Sequence, residues 1–303
     1  MTDKHNADVT GVSETALMTL VARAQEAKRP DCILEDPMAI NLVESIDHDF
    51  AKFGFSRRQD VALRALIFDK QTRRYLVDHP KATVVALAEG LQTSFFRLDA
   101  PGADAPIEAS GAGAPIDASG VGAPIDASGV GAPHQFRWLT VDLPPMIELR
   151  RKLLPIPDRV QMSAQSALDF AWMDQVDPGQ GVFITAEGLL MYLQPDEALA
   201  LITECAARFP GGRMMFDLPP SGFAALTRRG MPTSLRYRVP PMPFTLSVSE
   251  AANLVNTVPG IRAVHDVPIE QARGAVLNAL LWAVQRIPLL DPVRPTITLL
   301  EFG

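Results

Sequence analysis

Along this chain the apolar positions follow two periods, and the switches between them mark out the elements. A polar stretch through residue 12 reads as a mobile, disordered tail. From Ser13, a suitable helix cap, Ala16, Leu17, Leu20, Val21 and Ala24 recur at helical spacing until Pro30 ends the pattern. Asp36 and Pro37 open a shorter helix with Ile40, Leu42 and Val43 inward, and residues 62–76 make a third helical stretch. Residues 13–80 therefore form a helical cap ahead of the first strand. That strand opens residues 84–93, VVALAEGLQT, a β-branched run that reads as buried and passes at once into a turn holding Gly90.

Past residues 90–100, short for a crossover helix, the pattern breaks. Residues 105–131 are three nine-residue copies, APIEASGAG, APIDASGVG and APIDASGVG, trailed by Ala132 and Pro133. With almost no large apolar side chain they cannot bury enough surface to offset the entropy of ordering, so 102–132 reads as a flexible low-complexity insertion. One carboxylate per copy and so few copies do not make a calcium β-roll. Alternation then resumes with a strand at 136–143 and a helix from Pro144 with Met146, Ile147, Leu149 and Leu153 inward. A short strand follows around Val160 and Met162, then a strand at 182–190, a helix at 195–208 and a strand at 211–220. Residues 221–248 mix prolines with Met231, Leu235, Tyr237, Met242 and Phe244, and read as a substrate lid over an apolar ligand. A helix at 249–258, a strand at 261–267, a helix at 275–284 and a final strand at 295–302 bring the total to seven strands. The insertion falls before the second strand, away from the strands' C-terminal ends where ligands bind in such sheets.

Composition narrows the partners. The chain has 303 residues, 47% of them hydrophobic, enough for a large core. With 35 acidic against 28 basic residues, net charge −7, and no basic cluster beyond Arg57-Arg58, Arg73-Arg74 and Arg150-Arg151-Lys152, no nucleic-acid partner is expected. No apolar run approaches the roughly 20 residues that span a bilayer, and the polar start lacks an apolar leader. A cytoplasmic protein with no membrane partner is the expectation. Cys32 and Cys205 lie far apart without a partner motif, which speaks against a disulfide scaffold or a Cys-rich metal site and for core packing.

Candidate chemistry gathers at the strand ends. A strand closing in small residues, followed by a helix start, lets backbone N–H groups face a ligand, although one glycine fits an ordinary α/β turn as well. From Gly90 to Asp142 is 52 positions; setting aside the 31 residues of 102–132 leaves 21. That is close to the interval of about 20 at which dinucleotide folds place a ribose-binding acid. A carboxylate there suits free 2′ and 3′ hydroxyls of an adenosine; capping the helix at Pro144 is the equal alternative. Residues 166–172, SALDFAW, offer a polar turn with apolar neighbours suited to an adenine ring. Glu187 ends an apolar strand, where burying an unpaired acid is costly, and ligand contact supplies a reason. Arg23 and Arg64, on the N-terminal helices, read by default as solvated. His265, in a late strand, reads as structural.

Three motifs in order give these positions a context. LAEGLQT with FFRLD, then VDLPPMIELR, then EGLLMYL resemble the pattern of the leucine carboxyl methyltransferase family, and within it the bacterial polyketide O-methyltransferases of the tetracenomycin type. The resemblance spans nearly the whole chain outside the tail and the repeats. It implies an α/β fold, the class I S-adenosylmethionine-dependent methyltransferase Rossmann-like fold, with a seven-stranded mostly parallel sheet, helices on both faces and the last strand antiparallel. It further implies a single methyltransferase domain over 13–303. Carried over by residue, Ala88 and Gly90 approach the methionine part of the cofactor S-adenosyl-L-methionine, Asp142 holds the ribose, and Ser166 and Ala167 lie by the adenine. Glu187 faces the charged methionyl and sulfonium end, Arg64 pairs with its carboxylate, and Arg23 matches a family Lys. Tyr192 lines the reaction site and orients the substrate. Ala88 stands where the family has its first glycine, and Gln92 where many relatives have Asp.

Methyl transfer from a sulfonium is an in-line displacement that rests mainly on positioning. No metal is required by this reading. With no obvious base, the acceptor expected is a small molecule carrying a carboxylate or an acidic phenol. Two rivals stand beside it. One is a cofactor-binding protein in which Ala88 leaves catalysis weak or absent. The other is a nicotinamide oxidoreductase, disfavoured by the incomplete glycine pattern and the lack of a hydride-transfer constellation.

Overall fold

The computed structural model describes residues 4–7, 9–54, 58–100, 135–269, 272–287 and 294–303. The repeat insertion expected at 102–132 lies outside the described residues.

Among the described residues, seven strands make one sheet: β1 (Thr83–Leu87), β2 (Arg137–Asp142), β3 (Val160–Ala164), β4 (Val182–Ala186), β5 (Arg213–Leu218), β6 (Ile261–Asp266) and β7 (Thr296–Phe302). Their order is β3-β2-β1-β4-β5-β7-β6. All pairs are parallel except those of β7, which runs antiparallel to both β5 and β6. Every residue of β1 and β4 is buried, which is why both read as unbroken apolar runs rather than alternating ones. The edge strands β3 and β6 are partly exposed.

Successive residues of the strands serve opposite cores. Val85, Leu87, Leu139, Val141, Ile184 and Phe216 pack on one face with Leu201, Ile202 and Cys205 of the helix Pro195–Arg208. Val84, Ala86, Trp138, Phe183 and Met215 pack on the other with Ile67, Phe68 and Tyr75 of the helix Arg58–Asp78. A third core unites the helices Thr15–Ala27 and Pro37–Ser45 with Met146 and Leu149 of the helix Pro144–Leu153, and includes Leu91 of the loop after β1. We call these helices α1 (Thr15–Ala27), α2 (Pro37–Ser45), α3 (Arg58–Asp78), α4 (Ser94–Leu98), α5 (Pro144–Leu153), α6 (Pro195–Arg208) and α7 (Ser221–Arg228).

Several expectations shift. The stretch read as a tail puts Ala7 and Val9 into the α1–α2 core, and His5–Asn6 pairs in parallel with Ile46–Asp47, because two apolar side chains find cover there. The start of the expected lid is helical, α7, and the helix expected at 249–258 breaks at Asn253. Cys205 is buried, but Cys32 is only half-buried. Among the described residues, no helix is long and apolar enough to cross a membrane.

Strand order reverses between β1 and β4: the chain winds outward from β1 through β2 to β3, then returns to β4 on the other side of β1. The crevice at their C-terminal ends is where open α/β sheets bind ligands.

Candidate cofactor and acceptor site

A cavity of about 970 Å³ opens at those strand ends. That is the upper end of the range for small-molecule sites, roughly 300–1,000 Å³, and leaves room for two ligands side by side. Ala88, Gly90, Asp142, Ser166, Ala167, Glu187, Arg64 and Tyr192 all line it. Arg23 does not.

The loop after β1 is held from several sides. Gly90 has φ +57, and a Cβ there would stand 2.9 Å from the Cβ of Ala16 on α1, so glycine is required both by conformation and by space. The Gly90 N–H donates to Asp142 Oδ2 at 2.7 Å, and Leu143 N–H donates to Asp142 Oδ1 at 2.8 Å. Arg150 of α5, buried, donates to the carbonyls of Gly90 at 2.7 Å and Gln92 at 3.0 Å and pairs with Glu89 at 3.0 Å. Glu89 in turn accepts from Thr140 Oγ1 at 2.5 Å and Trp138 Nε1 at 3.2 Å. Asp142 is not the cap of α5: the N-cap residue is Leu143, and the Asp142 side chain turns back to the loop.

Ala88 takes the left-handed conformation that favours glycine, φ +50, and its N–H donates to the Val141 carbonyl at 2.7 Å. The backbone path is thus preserved, at a strain of about 1–2 kcal/mol for an L-residue. Ala88→Gly is expected to stabilise the fold by about 1 kcal/mol, because the strain relieved exceeds the 0.4–1 kcal/mol of unfolded-chain entropy gained. It should also tighten S-adenosylhomocysteine binding a few-fold. Denaturant unfolding and calorimetric titration check the two effects separately.

Opposite this loop, the end of β4 carries a charged cluster. Arg64 of α3 donates from Nε to Glu187 Oε1 at 2.9 Å and from Nη1 to Asp217 Oδ2 at 3.0 Å. Gln92 Nε2 donates to the same Glu187 oxygen at 2.7 Å, and Gly188 N–H donates to Asp217 Oδ1 at 2.7 Å. Burial works against the Arg64 charge, but Asp217 and Glu187 outweigh it and hold its pKa above the ordinary value. Desolvation pushes the Glu187 carboxyl above the usual carboxylate range; Arg64 pulls it back and Asp217 pushes it up again. Asp142 is raised as well, by burial, against the hydrogen bonds from Gly90 and Leu143.

The raised Glu187 has a signed consequence. For the ligand-free protein it contributes stability that is fully present below its ordinary value of 4.5 and is lost as pH rises through the folded value. For a cationic ligand the direction is opposite, since the ionised form is needed. With Glu187 at the cofactor's cationic end, as the resemblance implies, affinity for S-adenosylmethionine should therefore fall on acidification while the pH is still above 4.5, the ordinary value for the group. Titrations across about pH 5 to 8 check it, with Glu187→Gln expected to flatten the profile.

Arg23 is the correction among the expected site residues. It is fully buried behind the loop, donating from Nε to Asp36 at 3.0 Å and from Nη2 to the Leu91 carbonyl at 2.7 Å. The apolar face of α1 packs against α2 and carries this side chain inward, so it holds the loop rather than facing the cavity. His265 sits on β6, half-exposed, 3.5 Å from Glu301 and outside the cavity lining. Of the expected lid, Gly222, Phe223 and Leu226 on α7 and Met242 beyond it line the cavity, whereas Tyr237 packs edge to face on Phe53 at 4.8 Å, Phe244 is core and Leu235 is exposed. Asp217 and Arg150 escaped the sequence reading. Asp217 carries the same signal as Glu187, an acid near the end of an apolar strand.

The far half of the cavity is apolar, with Leu218, Pro219, Phe223, Leu226, Met242 and Ile269 among its walls. Tyr192 also lines the cavity, close enough to Arg64 and Asp217 to feel their charges. Its hydroxyl meets Thr15, and burial pushes its pKa up to about 12, so it remains a protonated donor.

This fold and its relatives define a class I S-adenosylmethionine-dependent methyltransferase. The chain is 29% identical over 256 residues to tetracenomycin polyketide synthesis O-methyltransferase TcmP of Streptomyces glaucescens, covering 84% of this chain and 82% of that one. It is 26% identical over 239 residues to the S-adenosyl-L-methionine-dependent methyltransferase dpfgK of Gibberella zeae, covering 72% and 70%. Its fold is also that of a DUF574 family protein from Streptomyces avermitilis, with a TM-score of 0.51 at 12% identity over 93% of this chain and 97% of that one. No protein-family profile matches the chain.

The residues present suit the cofactor. The Gly90 cradle admits backbone approach and no side chain. The buried Oε1 of Gln92, at the cavity wall, has no hydrogen-bond partner and offers an acceptor to an ammonium group. A lone arginine set between two carboxylates matches a ligand end that carries both signs of charge.

Proposed function

We propose that the chain is an O-methyltransferase acting on a small, largely apolar molecule that presents a carboxylate or an acidic phenol, the carboxylate fitting better. The observation that carries this reading is the continuity of the charged end with an apolar chamber that has no histidine among its described lining residues. A carboxylate is ionised near pH 4 and above and needs no base, whereas an ordinary phenol, near pKa 10, does. The bound cofactor supplies an electrophilic methyl group on sulfur, and the protein's part is alignment.

On this reading Gly90 admits the methionine part, Asp142 receives the ribose hydroxyls, and Ser166 and Ala167 border the adenine. Arg64 receives the cofactor's carboxylate, Glu187 the positive end, and Tyr192 donates a hydrogen bond that orients the acceptor. The N-terminal helices cap the cofactor side, and α7 with the segment after it covers the acceptor side. TcmP is named for a polyketide pathway, which supports an aromatic polyketide-like acceptor. The acidic surface supports a cytoplasmic small-molecule enzyme rather than one acting on nucleic acid.

The test is transfer of isotopically labelled methyl from S-adenosylmethionine to a panel of aromatic and polyketide acids, with phenols lacking a carboxyl alongside. Label that is released as methanol by mild base marks an ester and supports the carboxylate; base-stable label marks an ether. Transfer to neither class overturns the reading.

A further inference from the structure

We propose that Asp217 sets the preference of this site for the charged cofactor over its neutral demethylated product. The proposal rests on the cofactor site described above. S-adenosylmethionine carries a carboxylate, an ammonium and a sulfonium, net +1. On transfer the acceptor's electron pair forms the new bond to the methyl carbon as the C–S bond breaks and its pair returns to sulfur. The thioether left behind has lost that charge, and the product is net neutral.

Among the described residues Asp142, at the other side of the cavity, is held by the Gly90 and Leu143 N–H groups and by no salt bridge; among the buried salt-bridged groups at the methionyl end the charges come out one short on the positive side. Arg23 and Arg97 are balanced by Asp36 and Asp69, and Arg150 by Glu89. Arg64 alone faces both Glu187 and Asp217. Arg64 with Glu187 would be a neutral pair, so Asp217 supplies the surplus negative charge. Its carboxylate is fixed by the Gly188 N–H at 2.7 Å and by Arg64 at 3.0 Å, it is almost fully buried, and it lines the cavity. At that depth an unmatched charge is weakly screened and acts on a cation several ångströms away. The effect is to hold the sulfonium form and to release the thioether form.

The experiment is calorimetric titration of the full chain with three probes: S-adenosylmethionine; sinefungin, which keeps a cationic amine in place of the sulfonium; and S-adenosylhomocysteine. In Asp217→Asn the ratio of affinities, charged probes over S-adenosylhomocysteine, is expected to fall about tenfold, with S-adenosylhomocysteine itself within about twofold of wild type. Equal weakening of all three probes would assign Asp217 a merely structural role and overturn the proposal, as would an unmoved ratio. Asp217→Glu keeps the charge and should keep the ratio within about twofold even where the amide variant does not fold; a collapsed ratio there overturns the proposal too. If no probe binds the wild-type protein, the cofactor site fails and this inference with it. If all three bind and only the ratio is unmoved, this inference alone fails.

Discussion

Asp142→Ala is expected to weaken S-adenosylhomocysteine binding about a hundredfold and to lower the stability of the ligand-free protein. Two losses combine. Both carboxylate oxygens are engaged by backbone, one by Gly90 N–H at 2.7 Å and one by Leu143 N–H at 2.8 Å. Removing them leaves the buried Gly90 donor and the part-buried Leu143 donor unsatisfied, at about 1–3 kcal/mol for a buried group, and frees the loop after β1. On the proposed assignment the same substitution also removes the acceptor for the ribose hydroxyls, and hydrogen bonds to a charged group contribute about 1.5–3 kcal/mol. Asp142→Asn separates the two, since its one remaining oxygen can serve only one of the donors and the charge is gone while the volume is kept. Calorimetry with S-adenosylhomocysteine and with adenosine, beside urea unfolding, measures both parts. A stability loss with unchanged affinity for both ligands would place the ribose elsewhere.

How this site could be seen in the sequence depended on whether its signal was local. β1 and β4 were legible because strands buried on both faces read as unbroken apolar runs, and helix starts at Pro37, Pro144 and Pro195 because proline suits a first turn. The place of Asp142 at the end of β2 is legible from its spacing to Gly90 once the repeats, which precede the strand in sequence, are set aside. Glu187 stands out as an acid ending an apolar run, and Asp217, next to last in the apolar strand β5, could have been found by the same argument. Arg23 could not. Nothing local distinguishes an arginine on the exposed side of a helix from one whose partners lie on α2 and on the loop after β1, 13 and 68 positions away. The helix α7 was hidden by the prolines on either side of it, which made a short amphipathic segment look like irregular chain.

Arg23→Met should therefore act on stability first and on the cofactor second. The side chain is fully buried, and its partner Asp36 gathers Arg23 at 3.0 Å, Arg97 at 2.8 Å, Thr93 Oγ1 at 2.7 Å and the Ala39 N–H at 3.0 Å. Methionine fills much of the volume, so the loss is mainly electrostatic: breaking one side of a buried pair typically lowers stability by about 3–5 kcal/mol. Burial alone would raise the Asp36 pKa, but Arg97 and Arg23 overcome it and hold the carboxyl below its ordinary value of 3.8. A lowered acid contributes stability that is present above 3.8 and is lost as pH falls through the folded value. Without Arg23 that protection shrinks, and acid unfolding should begin at higher pH than in wild type. The Leu91 carbonyl also loses its donor, which loosens the loop from the side opposite Arg150 and Asp142. S-adenosylhomocysteine affinity should then fall several-fold, and the pH dependence assigned to Glu187 should move to higher pH, because Arg23 is one of the cations that pull that carboxyl down. An Arg23→Met protein of wild-type stability that fails to bind would place Arg23 at the cofactor after all.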